Sequence, residues 1–95
     1  MYKVVPAKQF IRSLRKLEHS GLFKGKALTN FNKAVNLLAQ GKSLPISYRD
    51  HQLVGEWQDL RECHVKGDLL LVYQHRDDAL ILLLIDIGSH SQIFG

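Results

Sequence analysis

The stretch Tyr48–Asp68 carries His51, Arg61, His64 and Asp68, and a further histidine, His90, stands near the C-terminus. Imidazole suits proton transfer because its reference pKa of about 6.5 leaves both protonation states populated near neutrality. Two imidazoles at one phosphodiester can cleave RNA without a metal. One takes the proton of a ribose 2′-hydroxyl while the other protonates the departing 5′-oxygen. A guanidinium or ammonium group stabilises the crowded, doubly charged phosphorane between them. The residue types fit that task, with the roles of base and acid open among the histidines. Spacing alone does not make them converge, so the elements that carry them decide.

Met1–Val5 alternates as a strand, and Pro6 ends it. From Ala7 to about His19, Phe10, Ile11, Leu14 and Leu17 recur at helical spacing, with Lys8, Arg12, Arg15 and Lys16 on the opposite face. Ser20-Gly21 breaks this helix. A second helix runs to about Gln40, with Leu28, Phe31, Val35 and Leu38 as its stripe and Gly41 as its stop. Lys42–Glu56 contains Pro45 and Gly55 and has no sustained period, which predicts a loop. Trp57–Val65, Leu69–Gln74 and Leu80–Ile87 read as three strands, with reversals at Lys66-Gly67 and His75–Ala79 and with Trp57 as a core anchor. The expected fold is α+β in the order β-α-α-β-β-β: one domain over residues 1–95, two N-terminal helices packed on an antiparallel sheet of three to four strands.

Composition supports a folded protein: 45% of the 95 residues are hydrophobic and only two are proline. The single cysteine, Cys63, excludes an internal disulfide, and no basic-then-apolar leader is present, so a cytoplasmic location is expected. The most apolar run, Ala79–Ile85, is far shorter than the roughly 20 residues a membrane span needs. The net charge of +4 is unevenly spread. Residues 1–42 hold nine Lys or Arg against one acid, and residues 43–95 hold four against eight. Such a basic half favours a polyanion or an acidic partner protein.

Four short motifs then occur in order: Tyr48-Arg-Asp-His51 through Gly55-Glu-Trp57, Arg61-Glu-Cys-His64-Val65, Asp68-Leu-Leu-Leu-Val-Tyr73, and Gly88-Ser-His90-Ser with Ile93-Phe94-Gly95. Together they resemble the YafQ branch of the RelE-like toxins, the toxin halves of type II toxin-antitoxin pairs. The resemblance implies a ribosome-dependent endoribonuclease that cleaves translated mRNA in the ribosomal A site. It implies an active-site set of His51, His64, Asp68, His90 and Phe94, with Phe94 stacking on a base. Arg61, Lys66 and Arg49 are the expected RNA-binding residues. The family often has Trp directly after the Asp where this chain has Leu69, which removes a stacking group at that position. The implied partners are mRNA on the ribosome and a cognate acidic antitoxin, through which alone DNA would be met. No metal or cofactor is expected. The alternative is a catalytically weak toxin-like module that works mainly in an antitoxin complex repressing transcription.

Strand alternation sets a condition on this reading. In a regular strand His64 shares a face with Glu62, while Arg61, Cys63 and Val65 share the other. Cys63 is thereby kept from a shared metal site with His64, and Arg61 from the phosphate that His64 would serve. A plain Lys66-Gly67 turn would also place Asp68 on the face away from His64. A twist, a bulge or a longer turn is therefore expected near Lys66-Gly67.

Overall fold

The computed structural model describes residues 1–95. Its sheet is built on the two most apolar stretches, β4 (Leu69–Arg76) and β5 (Ile81–Gly88), which pair antiparallel near the middle of five strands. Strands buried on both faces lose polar alternation. Leu71 and Tyr73 point into the main core, and Leu70 and Val72, equally buried, alternate to the opposite face. Beyond β5 lies β1 (Lys3–Pro6), and beyond β4 lie β3 (Arg61–Lys66) and the two-residue β2 (His51–Gln52), giving the order β1-β5-β4-β3-β2.

The α+β architecture with two N-terminal helices agrees with the sequence expectation, and the sheet differs in detail. β1 joins it parallel to β5, so the sheet is mixed. β2 makes a fifth strand inside the stretch expected to be loop. The first meander strand begins at Arg61, because Gly55–Trp57 forms a 3₁₀ turn with Gly55 at φ 68°. Trp57 is accordingly no core anchor and is 41% exposed.

Helix α1 (Lys8–His19) lies on β5, and α2 (Lys26–Ala39) lies on β3, both against one face of the sheet. Phe10 is the buried residue of α1, and its ring stands 6.0 Å from that of Phe31 in α2. The buried stripe of α2 is Ala27, Ala34, Leu38 and Ala39, flanked by half-buried Phe31 and Val35, whereas Leu28 lies at the margin and is 39% exposed. Alanine lets the helix approach the sheet closely, which is why Ala34 has no exposed surface.

Two irregularities re-aim side chains. The β3–β4 register shifts between His64 and Lys66: His64 faces Leu70 and Lys66 faces Leu69, which leaves Val65 without a partner. A bulge was among the irregularities expected near Lys66-Gly67, and this one moves the turn to Gly67-Asp68, with Gly67 at φ 57°. A second shift lies on β5 at Ile85, where Asp86 faces Val72 and its carboxylate accepts from Ser13 Oγ of α1 at 2.5 Å and from the Ile87 N–H at 2.8 Å. The C-terminal segment forms a short helix, α3 (His90–Phe94), started by a capping box: Ser89 Oγ accepts from the Gln92 N–H, and the Gln92 side chain accepts from the Ser89 N–H. No helix is long and apolar enough to cross a membrane.

Leu71, fully buried at the centre of this core, sets the stability of the sheet–helix interface. Leu71→Ala is expected to cost about 2–5 kcal/mol, the range for a buried large-to-small change. A shift of the urea midpoint corresponding to less than about 1 kcal/mol would show that the core is not centred there.

Candidate active site

The segment that brings His51 to the sheet is anchored residue by residue. Tyr48, buried at the end of a 3₁₀ turn, donates its hydroxyl to the Asn30 carbonyl of α2 at 3.2 Å. Arg49 follows in the left-handed region at φ 50°, ψ 40°, an uncommon conformation for a residue with a side chain. The Asp50 carboxylate then accepts from the Tyr73 hydroxyl on one oxygen and from the Arg61 guanidinium on the other at 3.1 Å. Hydrogen bonding to Asp50 is the main cause that raises the Arg61 pKa above its ordinary value.

His51 comes next, cross-strand from Glu62. Its Nδ1 donates to the Arg49 carbonyl at 2.7 Å, and its Nε2 is 3.0 Å from Glu62 Oε1. A carbonyl oxygen can only accept, so the Nδ1 proton is assigned by its partner. Glu62 is 6% exposed, and its second oxygen, Oε2, is buried with no hydrogen-bond partner. Two residues on, His64 donates Nδ1–H to the Gly67 carbonyl at 3.2 Å, across the bulged turn. That contact leaves Nε2 as the free ring nitrogen.

The C-terminal contribution is separate. His90 opens α3, and Phe94, four residues on and so on the same helical face, holds its ring centroid 5.1 Å from that of His90. Phe94 also meets Trp57 edge to face at 5.0 Å. Trp57 and Phe94 thereby tie α3 to the turn that leads into β3. Trp57 packs against Phe94 instead of entering the core, a contact that its placement before an apolar run did not suggest.

The structure gathers His51, Glu62 and His64 on β2 and β3, and His90, Phe94 and Trp57 at the C-terminal end. No hydrogen bond or ion pair joins Asp68 to His64, whose partner is the carbonyl of Gly67; Asp68 borders a different cavity, of about 680 Å³, with Ser13, Lys16 and Gln92. Arg61 stays on the face opposite His64, as alternation requires, with its guanidinium on Asp50. Arg49 and Lys66 instead line a cleft of about 500 Å³ together with His64. No group of three or more His, Cys, Asp or Glu side chains is arranged to hold a metal ion. Sequence reading missed Glu62 and Asp50, although each stands beside a candidate residue. The signal available for Asp50 was its place directly before His51; Glu62 offered none beyond its place between Arg61 and His64, because its pairing with His51 is made across strands.

Over residues 2–95 the chain matches the family described as the bacterial toxin of type II toxin-antitoxin system, YafQ. Fold and sequence together define a bacterial toxin of that class. The chain belongs to the YafQ family, as the motifs from Tyr48 onward had indicated. A Haemophilus influenzae protein carrying the YafQ toxin name is 39% identical over 95 residues, covering 95% of this chain and 89% of the relative. A metal-bound toxin from Helicobacter pylori has a crystal structure that superposes with a TM-score of 0.88 at 40% identity, covering 99% of this chain and all of the other. YafQ of Escherichia coli, named an mRNA interferase toxin, is 30% identical over 91 residues, 85% of this chain and 97% of its own. Its complex with DinJ aligns with a TM-score of 0.83 at 25% identity over the full length of both chains.

Burial beneath the site has a pH signature. The Cys63 thiol, fully buried, is pushed up to about 12 by desolvation first and then by the charges of Asp50 and Glu62. Tyr73 is raised as well, by burial and by its hydrogen bond to Asp50. Below the unfolded thiol value of 9.0 both states keep the proton and the contribution to stability is whole; as pH rises toward about 12 the unfolded chain ionises first and stability falls. The urea midpoint should therefore drop on going from about pH 8 to about pH 11, and less steeply in Cys63→Ala. Equal slopes for the two proteins would refute a buried neutral thiol.

Proposed function

We propose that this chain is an endoribonuclease toxin that cuts mRNA on the ribosome by acid/base transesterification and is neutralised by an acidic antitoxin. The observation that carries the reading is the fixed tautomer of His64. With Nδ1–H held by the Gly67 carbonyl, Nε2 is left as the proton acceptor, beside a cleft lined by Arg49 and Lys66. The mRNA interferase name of the Escherichia coli relative supports the substrate class.

In this mechanism His64 Nε2 takes the ribose 2′-hydroxyl proton as the 2′-oxygen bonds to phosphorus. The P–O5′ bond breaks, and His90, exposed at the start of α3, protonates the departing 5′-oxygen. The products are a 2′,3′-cyclic phosphate and a free 5′-hydroxyl. Both ring nitrogens of His51 are engaged, by the Arg49 carbonyl and by Glu62, so His51 acts on the substrate only if it releases Glu62. His64 is for that reason the preferred base. Arg49 and Lys66 stabilise the phosphorane more directly than Arg61, whose charge is matched by Asp50. Asp68 is exposed at the turn, free to orient a substrate group, and Phe94 with Trp57 offers an aromatic wall for a base. Leu69 leaves the position after Asp68 without a stacking ring.

The basic first half of the chain fits an acidic antitoxin as well as ribosomal RNA, and the DinJ complex of the Escherichia coli relative supports the former. DNA would be reached only through that antitoxin.

Primer extension on a translated message, with wild type beside His64→Ala and His90→Ala, tests the assignment. Each substitution is expected to lower cleavage by about 10²–10⁴-fold while co-purification with the antitoxin persists. Undiminished cleavage by both variants would remove these histidines from the chemistry. Intact growth arrest with no cleavage by the wild type would instead favour the binding-module alternative.

A further inference from the structure

The cleft beside His64 is a built feature. β2 pairs with β3 at only two positions, Glu62 and Arg61, so the edge of β3 from Cys63 onward has no neighbouring strand. Its bulge falls at Val65 within this open edge, and α2 and the Pro45–Arg49 segment form the other walls. These walls are fastened to one another. Asn30 Nδ2 donates to the Val65 carbonyl at 2.9 Å, and the Tyr48 hydroxyl donates to the Asn30 carbonyl at 3.2 Å. Lys33 lies three residues beyond Asn30 and therefore on the same face of α2. It joins Arg49, His64 and Lys66 in a lining that includes no acid. The ion pairs of the protein are His51–Glu62 and Arg61–Asp50, so none of the three permanently charged side chains in the cleft is matched.

Three unmatched cations around one pinned cleft, with a candidate catalytic nitrogen at its rim, fit a polyanion that continues past the reacting phosphate. The geometry points to this cleft as a phosphate-backbone subsite for the RNA strand being cut, with Lys33 of α2 as a binding residue that grips a phosphate next to the scissile one. This rests on the nuclease reading above and extends it from the reacting bond to the path of the strand. Arg49 has a double part here. Its left-handed backbone turns its carbonyl to His51 while its side chain lines the cleft, so strand binding and the orientation of His51 meet in one residue.

The test uses a short single-stranded RNA with 2′-O-methyl riboses, which transesterification cannot cut. Binding to the isolated toxin is followed by amide and side-chain NMR shifts at several salt concentrations. Shifts are expected at Asn30 and along Val65–Gly67. Lys33→Gln should weaken binding severalfold and lower the slope of log affinity against log salt by about 0.7, the loss of one phosphate contact on a single strand. Lys33→Arg should restore both, and Arg76→Gln, which removes the same charge from an exposed residue outside the cleft, should leave the slope unchanged. Wild-type affinity and slope in Lys33→Gln, or shifts that spare Asn30 and Val65–Gly67, would overturn the subsite. Cleavage of a translated message by the same wild-type preparation is measured alongside. If it fails while the oligonucleotide binds through Lys33, the nuclease reading falls and the subsite stands.

Discussion

The carboxylate of Asp50 is the constraint on which the site's geometry depends. It is held between the hydroxyl of a core tyrosine, Tyr73, and the guanidinium of Arg61, which are cross-strand partners on β3 and β4. Hydrogen bonds to a charged group are worth about 1.5–3 kcal/mol each when shielded, and removing one partner leaves a polar group in apolar surroundings. The loop that arrives from α2 is thus fixed to the sheet at one residue. Because successive side chains of an extended chain point to opposite sides, pinning Asp50 on the helix-facing side directs His51 to the other, where Glu62 receives it. Arg61 accordingly serves as a fastening for the loop, and that role explains why a basic residue can stand on the face away from His64.

The strand geometry supplies the second half of the arrangement. A bulge at Val65 lets His64 reach the Gly67 carbonyl and fixes which ring nitrogen carries the proton. The same bulge lies within the open edge of β3 next to α2. A longer β2 would have covered that edge and removed the cleft. The shortness of β2 and the irregularity of β3 therefore belong to the site. Bulges at sheet edges are a known means of re-aiming side chains beside reactive groups.

The buried layer beneath has a different task. Cys63 and Tyr73 lie under the loop and β3, and their raised pKa values express how completely water is excluded there. Cys63 packs as a small apolar residue and stays protonated, on the face of β3 opposite its neighbour His64. The capping box of Ser89 and Gln92 does for His90 what Asp50 does for His51: it starts α3 at a defined residue, so that His90 and Phe94 share one face. That signal, Ser followed three residues later by Gln, is present in the chain, and a helix could have been read from it.

Much of the fold was legible because it depends on local pattern. Phe10, Leu14 and Leu17 at helical spacing, Gly41 as a stop, and the apolar runs of β4 and β5 are each decided within a few residues. The histidine motifs pointed to the family and to the candidate residues for the same reason. Alternation showed that residues 61 and 64 of a regular strand cannot share a face, and it made a bulge or longer turn near Lys66-Gly67 the condition for bringing Asp68 to His64; the bulge is present, but it joins His64 to the Gly67 carbonyl, and Arg61 stays on the other face. The parallel docking of β1 beside β5, the pairing of His51 with Glu62, the capture of Asp50 by Tyr73 and Arg61, and the meeting of Trp57 with Phe94 were decided by tertiary structure. Each joins residues distant in the chain, or depends on how far a strand extends before its neighbour stops pairing, and no local periodicity encodes either. The sequence by itself determined which side chains are available for chemistry; the packed sheet decided which of their nitrogens and oxygens are already engaged, because a hydrogen-bond partner is chosen by proximity in space.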